Sequence, residues 1–176
     1  MSSFIATPQA PARRTPWRLQ PFQPAHASTI AAWAPDDAAL RRLAPGTFPP
    51  LTPQKVLDWI KPHTRAFVLI RPDDKTPVGY GELNPMRDDP RHWWLGHIVV
   101  APEHRGSGLG HALVARLRDL AILRHGANRL SLIVYRDNQP ARRCYERAGF
   151  EFVGEEVHHF SPHPAPQTLV RYEWRR

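Results

Sequence analysis

Arg105, Gly106, Ser107, Gly108, Leu109 and Gly110 offer the clearest chemistry in this chain of 176 residues, a place to bind an anion through the backbone. Three glycines alternate there, and none carries the Cβ that would hold a ligand away from the main chain. Ile98, Val99 and Val100 form a short β-branched run closed by Pro102, and Leu109, Leu113, Leu117 and Leu120 then recur at helical spacing. The pattern predicts strand, loop and helix, with the amides of the loop converging at the positive end of the helix dipole. Phosphate or pyrophosphate suits such a nest, and Arg105 adds a positive charge at its mouth.

Two common phosphate loops do not fit. A dinucleotide fingerprint needs its third glycine three places after the second, where this chain has His111 or Leu113, and the acidic ribose ligand expected near Leu130 is missing. A P-loop needs Gly-Lys-Ser/Thr, and no lysine lies in the segment. About thirty residues on, Leu130 to Tyr135 alternates as a strand, and Asn138-Gln139-Pro140 opens a helix whose Ala141, Cys144, Tyr145 and Ala148 share one face before Gly149 ends it.

Val100-x-Pro102 followed by Arg105-x-x-Gly108-x-Gly110 resembles motif A of the GNAT N-acetyltransferases. Asn138-x-x-Ala141-x-x-x-Tyr145-Glu146-Arg147-x-Gly149-Phe150 is similar to a second signature of the same family, and the likeness runs from about Phe67 to about Val153. The resemblance implies an α/β fold, the GNAT acyl-CoA N-acyltransferase fold, with a mixed central sheet flanked by helices on both faces. It also implies acetyl-CoA as co-substrate. Its pyrophosphate would rest on Arg105 to Gly110 and His111, and its pantetheine arm along Ile98, Val99 and Val100, with Asn138, Ala141 and Tyr145 completing the site. The reaction implied is direct attack of a primary amine on the acetyl thioester, with Tyr145 as general acid. The alternative is an acyl-CoA-binding regulatory module without turnover.

The base is not carried over by the resemblance, because His92-Trp93-Trp94-Leu95-Gly96-His97 stands where many relatives have a glutamate on the fourth strand. Glu82, among apolar and glycine neighbours in the third strand, is the first candidate, since partial burial raises a carboxylate toward the working range. His97 competes, because imidazole titrates near neutrality. Water relay is the third possibility. His158, His159 and His163 lack an accompanying carboxylate at ligand spacing, so no metal is expected.

With 24 Lys and Arg against 16 Asp and Glu the net charge is +8. The basic residues are mostly dispersed arginines, with only Lys55, Lys61 and Lys75 as lysines, so the chain lacks the clustered footprint of a nucleic-acid binder. The balance steers an anionic coenzyme inward and disfavours strongly cationic acceptors. No apolar run is long enough to span a membrane. A single cysteine and the lack of a signal-peptide pattern give a cytoplasmic expectation. Monomer and homodimer both remain open.

The elements that must position these groups follow from the rest of the pattern. Residues 1–15, rich in Pro, Ala, Ser and Thr, predict a disordered tail, and residues 16–176 a single domain. A first strand is expected over Trp17 to Phe22, helices over Pro24 to Trp33 and Thr52 to Ile60, and a short helix over Asp37 to Leu43. A hairpin is expected over Arg65 to Arg71 and Val78 to Leu83, then a strand from His92 to Val100. Two final strands run from Phe152 to Phe160 and Thr168 to Trp174. The acceptor is expected between Ala34 to Leu51 and the last hairpin, the regions least like the shared pattern.

Overall fold

The computed structural model describes residues 17–176 except Pro72, Asp74 and Pro162, and the expected tail over 1–15 lies outside the described residues. Among the described residues seven strands form one sheet: β1 (Arg18–Pro21), β2 (Arg65–Ile70), β3 (Pro77–Met86), β4 (Asp89–Val100), β5 (Arg129–Tyr135), β6 (Glu151–His158) and β7 (Gln167–Arg175). Their order is β1-β2-β3-β4-β5-β7-β6, and β4 beside β5 is the one parallel pair in an otherwise antiparallel sheet. The α-helices are α1 (Ala27–Ala32), α2 (Asp37–Leu43), α3 (Pro53–Asp58), α4 (Leu109–His125) and α5 (Gln139–Arg147). None of the described helices is long and apolar enough to cross a membrane.

Alternation along β3 dresses the two faces of the sheet differently. Gly79 and Gly81 lie under α4, where an added Cβ would stand 3.2 Å from Leu113 Cδ2 and 2.7 Å from Leu117 Cδ1. The missing side chains let the helix settle directly on the strand, and Leu109, Leu113, Val114 and Leu117 are buried there with Leu83 and Leu95. Tyr80, on the other face, packs with Ile30, Trp33, Val56, Val68 and Val99 beneath α1 and α3. Helices therefore cover both faces, as expected.

Caps explain the helix boundaries. Thr52 accepts from the Lys55 amide, with Pro53 first in α3, and Asp36 accepts from the Ala39 amide at the start of α2. The helix expected over Pro24 to Trp33 is a 3₁₀ turn, Pro24–His26, followed by a shorter α1. The polar stretch after Leu83 does not form the loop the sequence suggests. It continues β3 to Met86 and starts β4 at Asp89, a tight hairpin in which Asn84 pairs with Trp94 and Pro85 with Trp93.

The parallel pair β4 and β5 is paired only at His92–Arg129, Trp93–Leu130 and Trp94–Ser131. A buried polar cluster pins this closed end. His92 Nε2 donates to Ser131 Oγ at 2.7 Å, Ser131 donates to Glu173 Oε1 at 3.1 Å, and Arg129 and Arg175 both donate to the same carboxylate. Burial alone would raise the Glu173 carboxyl, but these donors outweigh it and bring it from an ordinary 4.5 to about 2. A folded value below the unfolded one gives stability that is complete above about pH 4.5 and drains away as pH falls toward 2, on the order of 3 kcal/mol in all. Glu173→Gln is expected to lose most of that at neutral pH and to flatten the acid limb of the stability curve. Urea denaturation at a series of pH values checks it, and an acid limb as steep as wild type would remove Glu173 from this role.

Candidate active site

Beyond Trp94 and Ser131 the two central strands part, so the β5-facing edge of β4 is open from Leu95 to Val100. A second irregularity lies on the other side of β4. Tyr80 pairs with Val99 and Glu82 with Gly96, which sets His97 and Ile98 opposite Gly81 alone. His97 has φ +46°, a left-handed conformation that costs a non-glycine residue about 1–3 kcal/mol. This bulge turns the end of β4 and re-aims the His97 side chain.

The glycine loop stands at the open end of the split. Gly106 and Gly108 have φ of +77° and +87°, and Gly108 caps α4 with no side chain and no acid in the first turn. Among the described residues the amides of Gly106, Ser107, Gly108, Leu109 and Gly110 have no acceptor. Five successive N–H groups at a helix N-terminus make an anion nest. The three glycines differ in what they do. A Cβ on Gly106 or Gly108 would meet open space, whereas one on Gly110 would stand 3.1 Å from Cys144 Sγ, so Gly110 lets α5 approach α4.

The Arg105 side chain is held by main-chain carbonyls. Its Nε donates to the Val100 carbonyl at 3.2 Å and its Nη2 to the Trp33 carbonyl at 3.1 Å, which braces the loop against the end of α1. Ser107 Oγ donates to the His104 carbonyl at 2.6 Å, and the His111 ring donates to the Arg147 carbonyl at 3.3 Å. Asn138 caps α5, its side-chain oxygen accepting from the Ala141 amide. These side chains shape the loop, and the backbone is left free to bind.

Glu82 and His97, alternatives in the sequence, are bonded to each other. Glu82 is 2% exposed, and its Oε1 accepts from Tyr80 Oη at 2.6 Å and from His97 Nδ1 at 2.9 Å, while Asn84 Nδ2 stands 3.4 Å from Oε2. Thr64 Oγ1 donates to Asn84 Oδ1 at 2.7 Å. The carboxylate fixes the imidazole with its proton on Nδ1 and the lone pair on Nε2. Trp59 stacks on that ring at 4.1 Å between centroids and 16° between planes. The His97 side chain is 27% exposed, so it is the member of the pair that solvent reaches. Tyr80 and Asn84, two residues either side of Glu82, were legible as its same-face neighbours by strand alternation. Trp59, from a distant helix end, had no local signal.

Tyr145 lies on the inner face of α5, 7% exposed, edge-on to Phe150 and tilted against Tyr172. Burial pushes its phenol above the ordinary value of 10, with a further rise from Cys144. The sealed polar side-chain atoms without a partner among the described residues are Trp93 Nε1 and Tyr135 Oη, so the Tyr145 hydroxyl, which has no protein partner either, keeps an edge open to solvent. Cys144 beside it is raised by burial, partly offset by Arg147, Arg143 and the His111 amide.

A cavity of about 350 Å³, lined by Asp37, Leu40, Arg41, Thr47, Pro49 and His163, lies between α2, the connection to α3 and the β6–β7 loop. These are the segments the sequence marks as the acceptor side. Arg42 of α2 pairs with Asp137 at 3.2 Å and so joins this wall to the chain just before α5.

Comparison with known proteins agrees with the geometry. The model of the Acetyltransferase (GNAT) family matches residues 31–150. A streptothricin acetyltransferase of Streptomyces lavendulae is 47% identical over 57 residues, which are 32% of this chain and 30% of that protein. One of Escherichia coli is 29% identical over 103 residues, 57% of this chain and 58% of that protein. The chain thus spans less than two thirds of either relative. Among solved structures, the spermidine N-acetyltransferase from Vibrio cholerae in complex with CoA and spermine superposes with a TM-score of 0.75 at 21% identity, over 90% of this chain and 95% of that one. That likeness is one of fold.

Proposed function

The chain belongs to the acetyltransferase (GNAT) family, and from that premise we propose that it moves an acetyl group from acetyl-CoA to a primary amine of a small molecule or a protein N-terminus. The observation that carries the reading is the row of five acceptorless amides set where β4 and β5 part. The row fits a pyrophosphate, and the open β4 edge at Ile98, Val99 and Val100 fits an extended amide-bearing arm. Acetyl-CoA would supply the acetyl group as a thioester. The streptothricin relatives favour a small-molecule amine as acceptor.

In this reading His97 Nε2 takes the proton from the attacking amine, and Glu82, too buried to reach a substrate, holds the ring and stabilises the imidazolium. Glu82 thereby moves from the base itself to the residue behind the base. The amine nitrogen bonds to the thioester carbon, the oxyanion is held by β4 amides, and the C–S bond breaks as Tyr145 gives its proton to the leaving sulfur. Arg105 acts by holding the loop to Val100 and Trp33, and its backbone joins the nest. The α2 wall with its cavity receives the acceptor, and a cytoplasmic setting suits both substrates.

Thiol release from acetyl-CoA against a panel of primary amines tests the reading. Release with at least one amine supports it. Coenzyme A binding without release from any amine would return the non-catalytic module. The nest has its own test. Any side chain at Gly108 must adopt φ near +87° at a cost of about 1–2 kcal/mol or shift the loop. Gly108→Ala is therefore expected to weaken coenzyme A binding about tenfold by calorimetry, and unchanged affinity would show that the loop is not the anion site.

A further inference from the structure

The charges of α2 are put to uneven use. Asp36 accepts from the Ala39 amide as the cap of the helix, and Arg42 pairs with Asp137, so both of these are engaged in holding the fold. Asp37 and Arg41 are not. Neither has an ion pair or a side-chain hydrogen bond among the described residues, and both line the cavity of about 350 Å³ that α2 shares with Thr47, Pro49 and His163. That volume lies at the small end of ligand pockets, room for the head of a small molecule rather than a stretch of polypeptide.

Thr47 supplies a third polar group with a fixed sense. Its Oγ1 accepts from Trp59 Nε1 at 3.0 Å, which leaves the hydroxyl proton to be donated into the cavity. Arg41 and the Thr47 hydroxyl therefore offer donors to an anion, and Asp37 offers an acceptor to a cation. Asp37 and Arg41 stand one helical turn apart, and the Cβ atoms of such a pair are about 5–6 Å from each other. An ammonium and a carboxylate on the same carbon, with a hydrogen bond at either end, bridge that span.

The head held here is not the amine that reacts. Trp59 turns its Nε1 edge to Thr47 and its ring face to His97, stacked at 4.1 Å between centroids, so the cavity wall and the base touch the same indole from different sides. An amine paired with Asp37 stays charged and lies an indole away from the imidazole, whereas the attacking amine must lie against His97 Nε2 and lose a proton to it. A second amine several bonds along the same molecule meets both conditions. Leu40 and Pro49 give the intervening carbon stem apolar walls.

We infer that the acceptor is a diamino acid, held in this cavity by its α-ammonium on Asp37 and its α-carboxylate on Arg41 and Thr47, and acetylated on its side-chain amine, a reading that rests on acetyl transfer with His97 as base. A simple polyamine has no anion for Arg41 and sets a cation before that guanidinium. An amine with a carboxylate but no second ammonium leaves Asp37 unpaired.

Thiol release from acetyl-CoA is measured with lysine, ornithine and diaminobutyrate, each beside the analogue that lacks its carboxylate and the analogue that lacks its α-amine. For lysine these are cadaverine and ε-aminocaproate. At the favoured chain length the diamino acid is expected to exceed each analogue about tenfold or more in kcat/KM, the loss expected for one charge-assisted contact. Arg41→Gln is expected to abolish the advantage over the analogue without the carboxylate and to keep the advantage over the analogue without the α-amine, and Asp37→Asn the reverse. A merely structural role for either residue would lower all three rates together. Turnover of other amines but of no diamino acid overturns the inference and leaves acetyl transfer standing, as does an analogue that matches its diamino acid at every chain length. Thiol release with no amine at all overturns the acetyl-transfer reading instead. Calorimetric titration of the coenzyme A complex with the same compounds then decides the cavity by itself: tighter binding of a diamino acid than of its analogues upholds the head site, and equal or absent binding removes it.

Discussion

His97→Asn is expected to lower kcat/KM for the amine by two orders of magnitude or more, with coenzyme A affinity and fold close to wild type. Asparagine is chosen because it keeps what structure requires and removes what catalysis requires. It tolerates the left-handed backbone that His97 adopts at φ +46°, and its amide donates to Glu82 Oε1 in place of Nδ1–H, so the buried carboxylate is not left without that donor. It cannot take a proton at neutral pH. General base catalysis is typically worth 10²–10⁴-fold, which sets the size of the loss. Glu82→Gln is expected to fall less, because the imidazole remains while its orientation and imidazolium stabilisation weaken. Steady-state kinetics with varied amine, a coenzyme A titration and a melting curve check the pair. A His97→Asn enzyme with wild-type kcat/KM would mean that the amine loses its proton to water or arrives neutral. A Glu82→Gln loss exceeding that of His97→Asn would return the base to Glu82.

The contrast between what sequence reading sees and what packing decides is clearest at these two residues. Their chemistry was legible, since few groups in the segment can accept a proton. Their relation was not. Which residue solvent reaches depends on α3 and Trp59 closing over β3 from more than twenty residues upstream, and a left-handed histidine in a bulge has no local signature. The glycine loop was legible as a whole because a strand, three glycines and a leucine-periodic helix constrain one another. The separate duties of its glycines depend on Cys144, more than thirty residues on, and the direction of Arg105 on a carbonyl 72 residues back in the chain. Helix and strand boundaries followed their caps closely. Besides the split first helix, the long β3–β4 hairpin departs from expectation and shows a polar stretch recruited as strand by pairing with Trp93 and Trp94, where tertiary context overrides propensity.

Tyr145→Phe is expected to cost about tenfold to several hundredfold in kcat, toward the low end of acid catalysis, because the thiolate it serves is already a fair leaving group with a parent pKa near 8.5. The ring contacts with Phe150 and Tyr172 survive the substitution, and the hydroxyl has no protein partner to lose among the described residues, so stability and coenzyme A binding should hardly move. Burial has a further consequence for how the role can be read. It pushes the phenol above its ordinary 10, so the acid stays protonated across the working range of the enzyme and its titration yields no high-pH fall in rate there. The decisive readout is therefore kcat under chemical limitation, established by single-turnover kinetics. Acetyl donors with poorer thiol leaving groups sharpen the test. The deficit of the phenylalanine enzyme should grow as the thiol of the donor becomes more basic, since a poorer leaving group depends more on the proton. A deficit that stays flat across donor thiols, or a wild-type kcat with chemistry limiting, would reduce Tyr145 to a packing residue of α5, and loss of coenzyme A binding would make it a clamp on the donor.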